Sequence, residues 1–248
     1  MAPASVGAWW RHLAPPGAAP RLVAVRDGSG ALVGLAPFYL DRSSRVSGPQ
    51  LRLPGIELGG RLGLLASPGL EREVADAVAS ALAESAECPG LLVLEGVPKD
   101  AAWPGQLANT PSGNRNPVLR SYHEVGCPTV TLAESSFEEW LAAKSSNFRR
   151  EMRKLRRHYE SAGGTVRRST GQTLAGDIAT FMRLHTSRWE QRGSSNFVRL
   201  GAALPAALED LGRGLLEREG RFRLLMLEVD GEPISAQLFL AAGGRVLY

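Results

Sequence analysis

Between Lys144 and Glu160 the chain concentrates side chains suited to holding anions: Lys144, Arg149, Arg150, Arg153, Lys154, Arg156 and Arg157. From Arg149 to Arg157 arginine outnumbers lysine five to one, and guanidinium groups make planar, bidentate contacts with carboxylates and phosphates that an ammonium cannot. Nine Lys/Arg and two Asp/Glu lie between Lys144 and Arg168, so this segment carries +7 while the rest of a +4 chain is net −3. Three uses fit such a face: a solvated surface, contact with the phosphates of a donor or a charged acceptor, or nucleic-acid binding. The last is the weakest of the three, because no aromatic side chain interleaves with the arginines to stack on bases. Asn147 either shapes the entry to this segment or adds an amide contact beside the arginines.

A second group lies further along, at His185, Arg188 and Trp189. His185 is the one candidate for a proton-transferring base, although a histidine on an apolar face also serves as a hydrogen-bonded core residue. Arg188 falls just off that stripe, where it can reach a cleft, and Trp189 is either core or a stacking platform. Glu228 alternates with Leu227 and Val229 along a strand, which sends it to a solvated face if those neighbours point inward. The two cysteines, Cys88 and Cys127, have no partner spacing for a metal or a disulfide framework, so no metal is expected and a reducing cytoplasm is the default location.

The elements that must position these groups follow from periodicity. On a helical wheel of about 100° per residue, Phe148, Met152, Leu155 and Tyr159 share one narrow sector opposite the arginines. The basic segment is therefore an amphipathic helix whose apolar face should enter a core, ending at Gly163-Gly164. A helix led by Ser135 or Ser136 precedes it from Phe137, and a strand over Thr165–Arg168 follows. Residues 174–192 read as a helix with Ile178, Phe181, Met182, His185 and Trp189 on one face, and residues 204–219 as another. Upstream, a short helix ends near Leu13, and a strand at 62–66, a helix at 70–84 and a strand at 91–97 suggest a parallel crossover. Residues 98–128 are the longest turn-rich stretch, and a boundary between two halves, 1–128 and 129–248, is placed at its end, before a short strand at 129–132. No apolar run approaches the about 18 residues needed to span a bilayer.

Arg21–Leu40 and Arg223–Leu240 share one plan: arginine, apolar strand, acidic-glycine turn, apolar strand. The first is followed by further strands and a helix, whereas the chain stops soon after the second, so a C-terminal truncation is expected. The residues Lys144-Ser145-Ser146-Asn147-Phe148-Arg149-Arg150, with Gly163-Gly164, then Leu184-His185 and Arg188-Trp189, then Leu227 through Gly231 to Ala236, resemble the tandem-GNAT acyltransferases. Among these the cellulose-biosynthesis-associated (CelD-like) acetyltransferases are the nearest resemblance and the Fem peptidyltransferases a more distant one; Ala24–Leu40 and Leu91–Asp100 match the first half.

That resemblance implies an α/β fold of mixed sheets, with two GNAT-like domains in tandem, the first degenerate and the second incomplete. It implies transfer of an acyl group from acyl-CoA, typically acetyl-CoA, to an amine or hydroxyl of a sugar, peptide or envelope-polysaccharide precursor. In that chemistry a strand N–H orients the thioester carbonyl while a base deprotonates the acceptor. Asn147, Arg149, Arg150, Arg153, Arg157, Arg188 and Trp189 would contact substrate or donor. The family's pyrophosphate-wrapping loop, Arg/Gln-x-x-Gly-x-Gly/Ala at a helix N-terminus, has no match in this chain; the equivalent turn in the first half, Ala66-Ser67-Pro68-Gly69, lacks it. Two other functions stay open: a non-catalytic scaffold in polysaccharide assembly, and a nucleic-acid-binding module. Partners under the leading reading are a small-molecule, glycan or peptide acceptor, with the oligomeric state undetermined.

Overall fold

A computed structural model describes residues 3–59, 62–85, 87–109, 118–122, 124–190, 192–193, 195–216, 221–242 and 244–248. The first hairpin forms where alternation and turn chemistry place it, as β1 (Ala19–Arg26) and β2 (Leu32–Asp41), antiparallel. The Asp27 carboxylate accepts hydrogen bonds from the backbone N–H groups of Ser29 and Ala31, which folds the turn locally. It follows α1 (Pro3–His12), and β3 (Gln50–Arg52), α2 (Ile56–Gly59) and β4 (Leu65–Ala66) come next. Then come α3 (Glu71–Glu84), β5 (Leu92–Val93) and α4 (Trp103–Asn109), the last a helix inside the turn-rich stretch.

The expected crossover is corrected in its partners. β4 pairs antiparallel with β2, and the parallel pair is β3 with β5. The apolar runs at 62–66 and 91–97 contribute only two paired residues each; Leu62, Leu64, Leu94 and Val97, outside the paired positions, join the apolar cluster around Val74 and Val78. Residues 129–132 form no strand: Val130 and Leu132 are exposed at 63% and 71% in irregular chain. The segment pairs with no strand of either sheet, and isolated strands are not stable. Of the turn-rich residues, Pro111, Gly113, Asn114, Asn116 and Pro117 lie outside the described residues, as do Glu217–Glu219 at the end of the expected 204–219 helix and Gly243.

The second half contains α5 (Phe137–Ala142), α6 (Ser146–Ser161), β6 (Gly164–Arg168), α7 (Leu174–Glu190), α8 (Asn196–Arg199), α9 (Ala203–Leu216), β7 (Phe222–Val229), β8 (Glu232–Ala242) and β9 (Arg245–Leu247). Its strands form an antiparallel sheet in the order β6-β7-β8-β9. The turn joining β7 to β8 is two residues long, with Asp230 at φ 51° and Gly231 at φ 80°. Left-handed backbone at both central positions is the turn whose twist matches a hairpin. A mixed sheet and an antiparallel one, flanked by helices, make this an α/β protein, and the architecture fits a GNAT-type fold.

Two apolar clusters hold it together. One lies between β2, β3 and α3, around Ala36, Phe38, Leu51, Val74 and Val78. The other centres on α7, α9 and the Phe222, Leu224 and Met226 face of β7, and α1 joins it through Ala8 and Trp9. Trp9 is 1% exposed, stacks obliquely on Tyr39 of β2 at 4.8 Å and donates its indole N–H to Glu57 of α2 at 2.6 Å. Arg11 and His12 close on Asp210 of α9.

Candidate functional site

α6 begins with Ser145, whose hydroxyl accepts the Phe148 N–H, and α5 begins with Ser136, which accepts the Glu139 N–H. The expected apolar face is present but enters no core. None of the residues of α6 is buried; Phe148 is 39% and Leu155 52% exposed. Its C-terminal turn is anchored by Tyr159, whose hydroxyl accepts the Glu228 N–H at 3.0 Å and lies 2.5 Å from the Thr165 carbonyl. At the other end Phe148 packs edge-on against Trp140, which stacks on Phe137.

The arginines divide by what they already hold. Arg149 donates to the Ala142 and Lys144 carbonyls, stapling the end of α5 to the start of α6. Arg150 donates to the Asn147 side chain at 2.7 Å, so Asn147 is engaged within the first turn. Arg156 pairs with Glu160 and Glu138. Arg157 gives one N–H to the Arg153 carbonyl. The guanidinium of Arg153, the Lys154 ammonium and the remaining nitrogens of Arg150 and Arg157 have no partner among the described residues, which leaves them open to an anion.

His185 lies on the exposed end of α7, half-buried among Phe181, Trp189 and Phe197, with Nε2 2.8 Å from Ser195 Oγ. Burial, with Arg188 nearby as a second cause, pushes its pKa below the ordinary histidine value and favours the neutral ring. Ser195 also accepts the Val198 N–H, capping α8. Trp189 is half-buried against His185, and Arg188 is exposed. Among the described residues no hydrogen bond, ion pair or ring contact joins this aromatic group to the arginines of α6.

Glu228 departs from the sequence expectation. Leu227 and Val229 do point opposite to it, but the face covered by helices is the one that Met226 and Glu228 share. Its side chain is 13% exposed and accepts from Arg167 Nε at 2.7 Å. The same guanidinium grips Asp177 through both terminal nitrogens, at 2.9 and 2.7 Å, and Ser169 donates to Asp177. Burial opposes the charge on Asp177, yet the hydrogen bonds from Arg167 and Ser169 outweigh it and hold the carboxyl below the usual range. Sequence reasoning missed this network and Ser195. The signals were a charged residue at an inward strand position of β6 and a serine two residues before an apolar turn.

Open clefts among the described residues include the following two. One of about 390 Å³ is lined by Leu62, Pro98, Asp100, Ala101 and Arg245, and one of about 440 Å³ by Arg21, Arg42, Glu87 and Cys88 with Leu40, Pro49 and Pro89. Neither includes a candidate residue from α6 or α7. No group of three or more metal-ligating side chains occurs among the described residues, and no described helix is long and apolar enough to cross a membrane.

No curated protein matches the chain. Residues 146–248, from the first residue of α6 through β9, match the family described as an acetyltransferase (GNAT) domain, and this supports reading that segment as a GNAT acetyltransferase domain.

Proposed function

We propose that the protein transfers an acyl group from acyl-CoA to an amine or hydroxyl on a sugar, peptide or envelope-polysaccharide precursor. The observation that carries this reading is the match of residues 146–248 to the GNAT acetyltransferase domain. A tandem origin is part of the proposal. α1, β1, β2 and β3 follow one another as α9, β7, β8 and β9 do, and α1 packs against α9. The likeness to CelD-like and Fem enzymes remains part of this reading as well.

Arg153 and Arg157 are the proposed contacts for an anionic group of donor or acceptor, with Arg150 on the same helix, and Arg188 on α7 is proposed as a separate contact. Arg149 and Asn147 are proposed to shape that face. His185 is the proposed proton acceptor, because its surroundings keep it neutral and its Nε2 already engages a hydroxyl at Ser195. The N-terminus of α3, the counterpart of a pyrophosphate site in the first half, does not fit acyl-CoA: Glu71 and Glu73 occupy its first turn and would repel the phosphates.

The test is calorimetric titration of acetyl-CoA into protein expressed from its full open reading frame, followed by release of free CoA thiol in the presence of amino sugars, peptides and oligosaccharides. Acceptor-dependent thiol release is expected. A folded protein that neither binds acetyl-CoA nor releases thiol would overturn acetyl-CoA as donor and leave a scaffold as the better reading.

A further inference from the structure

α6 presents a combination that the acyl-transfer reading does not use. Phe137, Trp140 and Phe148 form a chain of ring contacts at 5.7 and 6.1 Å, and Met152 and Leu155 continue it along the helix as far as Tyr159, which is tied to β6 and β7. At about 1.5 Å per residue the open stripe from Phe148 to Leu155 is roughly 10 Å long. Phe137, Phe148 and Leu155 are exposed at 54%, 39% and 52%. Around it stand six Lys/Arg against Glu151 and Glu160, and Lys144 lies 4.5 Å over the Trp140 ring at the stripe's end.

From this we infer that α5 and α6 dock in the plane of an anionic lipid bilayer, the stripe sinking to the acyl boundary and the cations lying among the headgroup phosphates. A strongly two-faced helix of low overall hydrophobicity, with Phe, Trp and Leu on one side and arginine on the other, is the pattern of an interfacial helix. Arginine stems are long enough to keep their charge at headgroup depth while the helix lies flat. Charge complementarity selects this occupant over the others. A second copy of the chain would set two like-charged helices side by side. Nucleic acid would satisfy the arginines but leave the aromatic and leucine stripe on the wrong face for stacking. The inference shares Arg153 and Arg157 with the proposed acyl-transfer contacts but rests on exposure and charge alone, and the vesicle readout does not depend on acyl transfer.

The experiment is vesicle co-sedimentation of the full protein at about 0.1 M salt, with pure phosphatidylcholine vesicles and with vesicles carrying about 30% phosphatidylglycerol. Binding to the anionic vesicles alone is expected. Two variants then separate its parts: Phe148→Ser with Leu155→Ser, and Arg153→Glu with Arg157→Glu. All four positions are solvent-facing, so the fold should survive, and circular dichroism and the melting temperature verify that. Each pair should lower the partition coefficient by about tenfold or more. Absence of binding to the anionic vesicles would overturn the inference. So would binding that the charge variant loses and the apolar variant keeps, which marks adsorption without insertion. Tighter binding to an oligonucleotide, indifferent to Phe148 and Leu155, would point to nucleic acid instead. A dimer in light scattering that dissociates in the apolar variant would assign the stripe to a second copy.

Discussion

β1–β2 and β7–β8 each carry an arginine near their start, Arg21 and Arg223, pass through an acidic-glycine turn and carry a register shift just before it, at Val25/Arg26 and Leu227/Glu228. Their surroundings differ. The second strand of the first hairpin is covered on both faces, with Ala36 and Phe38 toward α3 and Tyr39 toward α1 and Trp9. In the second hairpin one face meets α7 and α9 through Leu224 and Met226, while the opposite face, with Leu225, Leu227 and Phe239, is half-exposed and ends at Tyr248, 83% exposed. An alternating pattern therefore fixes which residues share a face, but not which face is covered. The first hairpin is held chiefly by apolar packing; the second adds a buried ionic cluster of Arg167, Asp177 and Glu228.

The sharpest way to break the comparison is at Trp9, which connects α1 to both Tyr39 and α9. Trp9→Ala should cost about 3–5 kcal/mol in urea unfolding, whereas Phe239→Ala on the open face should cost about 1 kcal/mol. Comparable losses would mean that the second sheet's outer face is covered in solution.

Next comes the ionic cluster. Arg167→Met leaves Asp177 buried without its cation and should cost about 3 kcal/mol, the low end for a broken buried pair because Arg167 keeps some solvent access. Arg156→Met, which removes an exposed pairing with Glu138 and Glu160, should leave the unfolding midpoint unchanged within error. The same cluster gives a pH signature. The Asp177 carboxyl is held below its ordinary value, so its contribution is fully present above the unfolded value near 4 and is lost as pH falls through the folded one.

Smaller is the effect at Gly34, where β2 approaches α3 so closely that an added Cβ would collide with the Val74 side chain. Gly34→Ala should cost about 1–3 kcal/mol by overpacking. Pairing it with Val74→Ala should recover part of that loss; a double variant no better than the single would place the cost in the backbone instead.

Much of this architecture was legible from the chain alone, for reasons that are local. Turn chemistry at Asp27-Gly28 and Asp230-Gly231 placed both hairpins, a serine cap placed α5, amphipathic periodicity placed α6, and Gly163 ended the basic helix. What escaped depended on distant neighbours. The apolar side of α6 shows a correct 3.6-residue period, but periodicity does not reveal whether anything packs on it. Thr129–Leu132 has strand composition but pairs with no other strand. Glu228 was assigned to solvent because its cation, Arg167, lies 61 residues away in sequence. The candidate arginines were located, yet their present engagements were not: Arg149 holds backbone carbonyls, and Arg153 and Arg157 keep free nitrogens.

The smallest expected effect lies at His185, and it separates the two halves by pH. Burial and Arg188 keep the folded ring's pKa below that of the unfolded chain, about 6.5. Between those two values the unfolded state binds a proton that the folded state does not, so stability falls as pH drops below about 6.5 and levels off once the folded ring is protonated. Protonation also opposes the aromatic packing of His185 with Phe181 and Phe197 and limits the ring to donating toward Ser195. Native-state hydrogen exchange at pH 7.0 and 5.5 should therefore show weakened protection in α7 and β7, with α3 and β2 unmoved once intrinsic exchange rates are corrected. His185→Gln keeps a hydrogen-bonding side chain without titrating, and should abolish that difference. Persistence of the pH effect in the variant would assign it to another group and remove His185 from the list of residues whose neutral form the fold maintains.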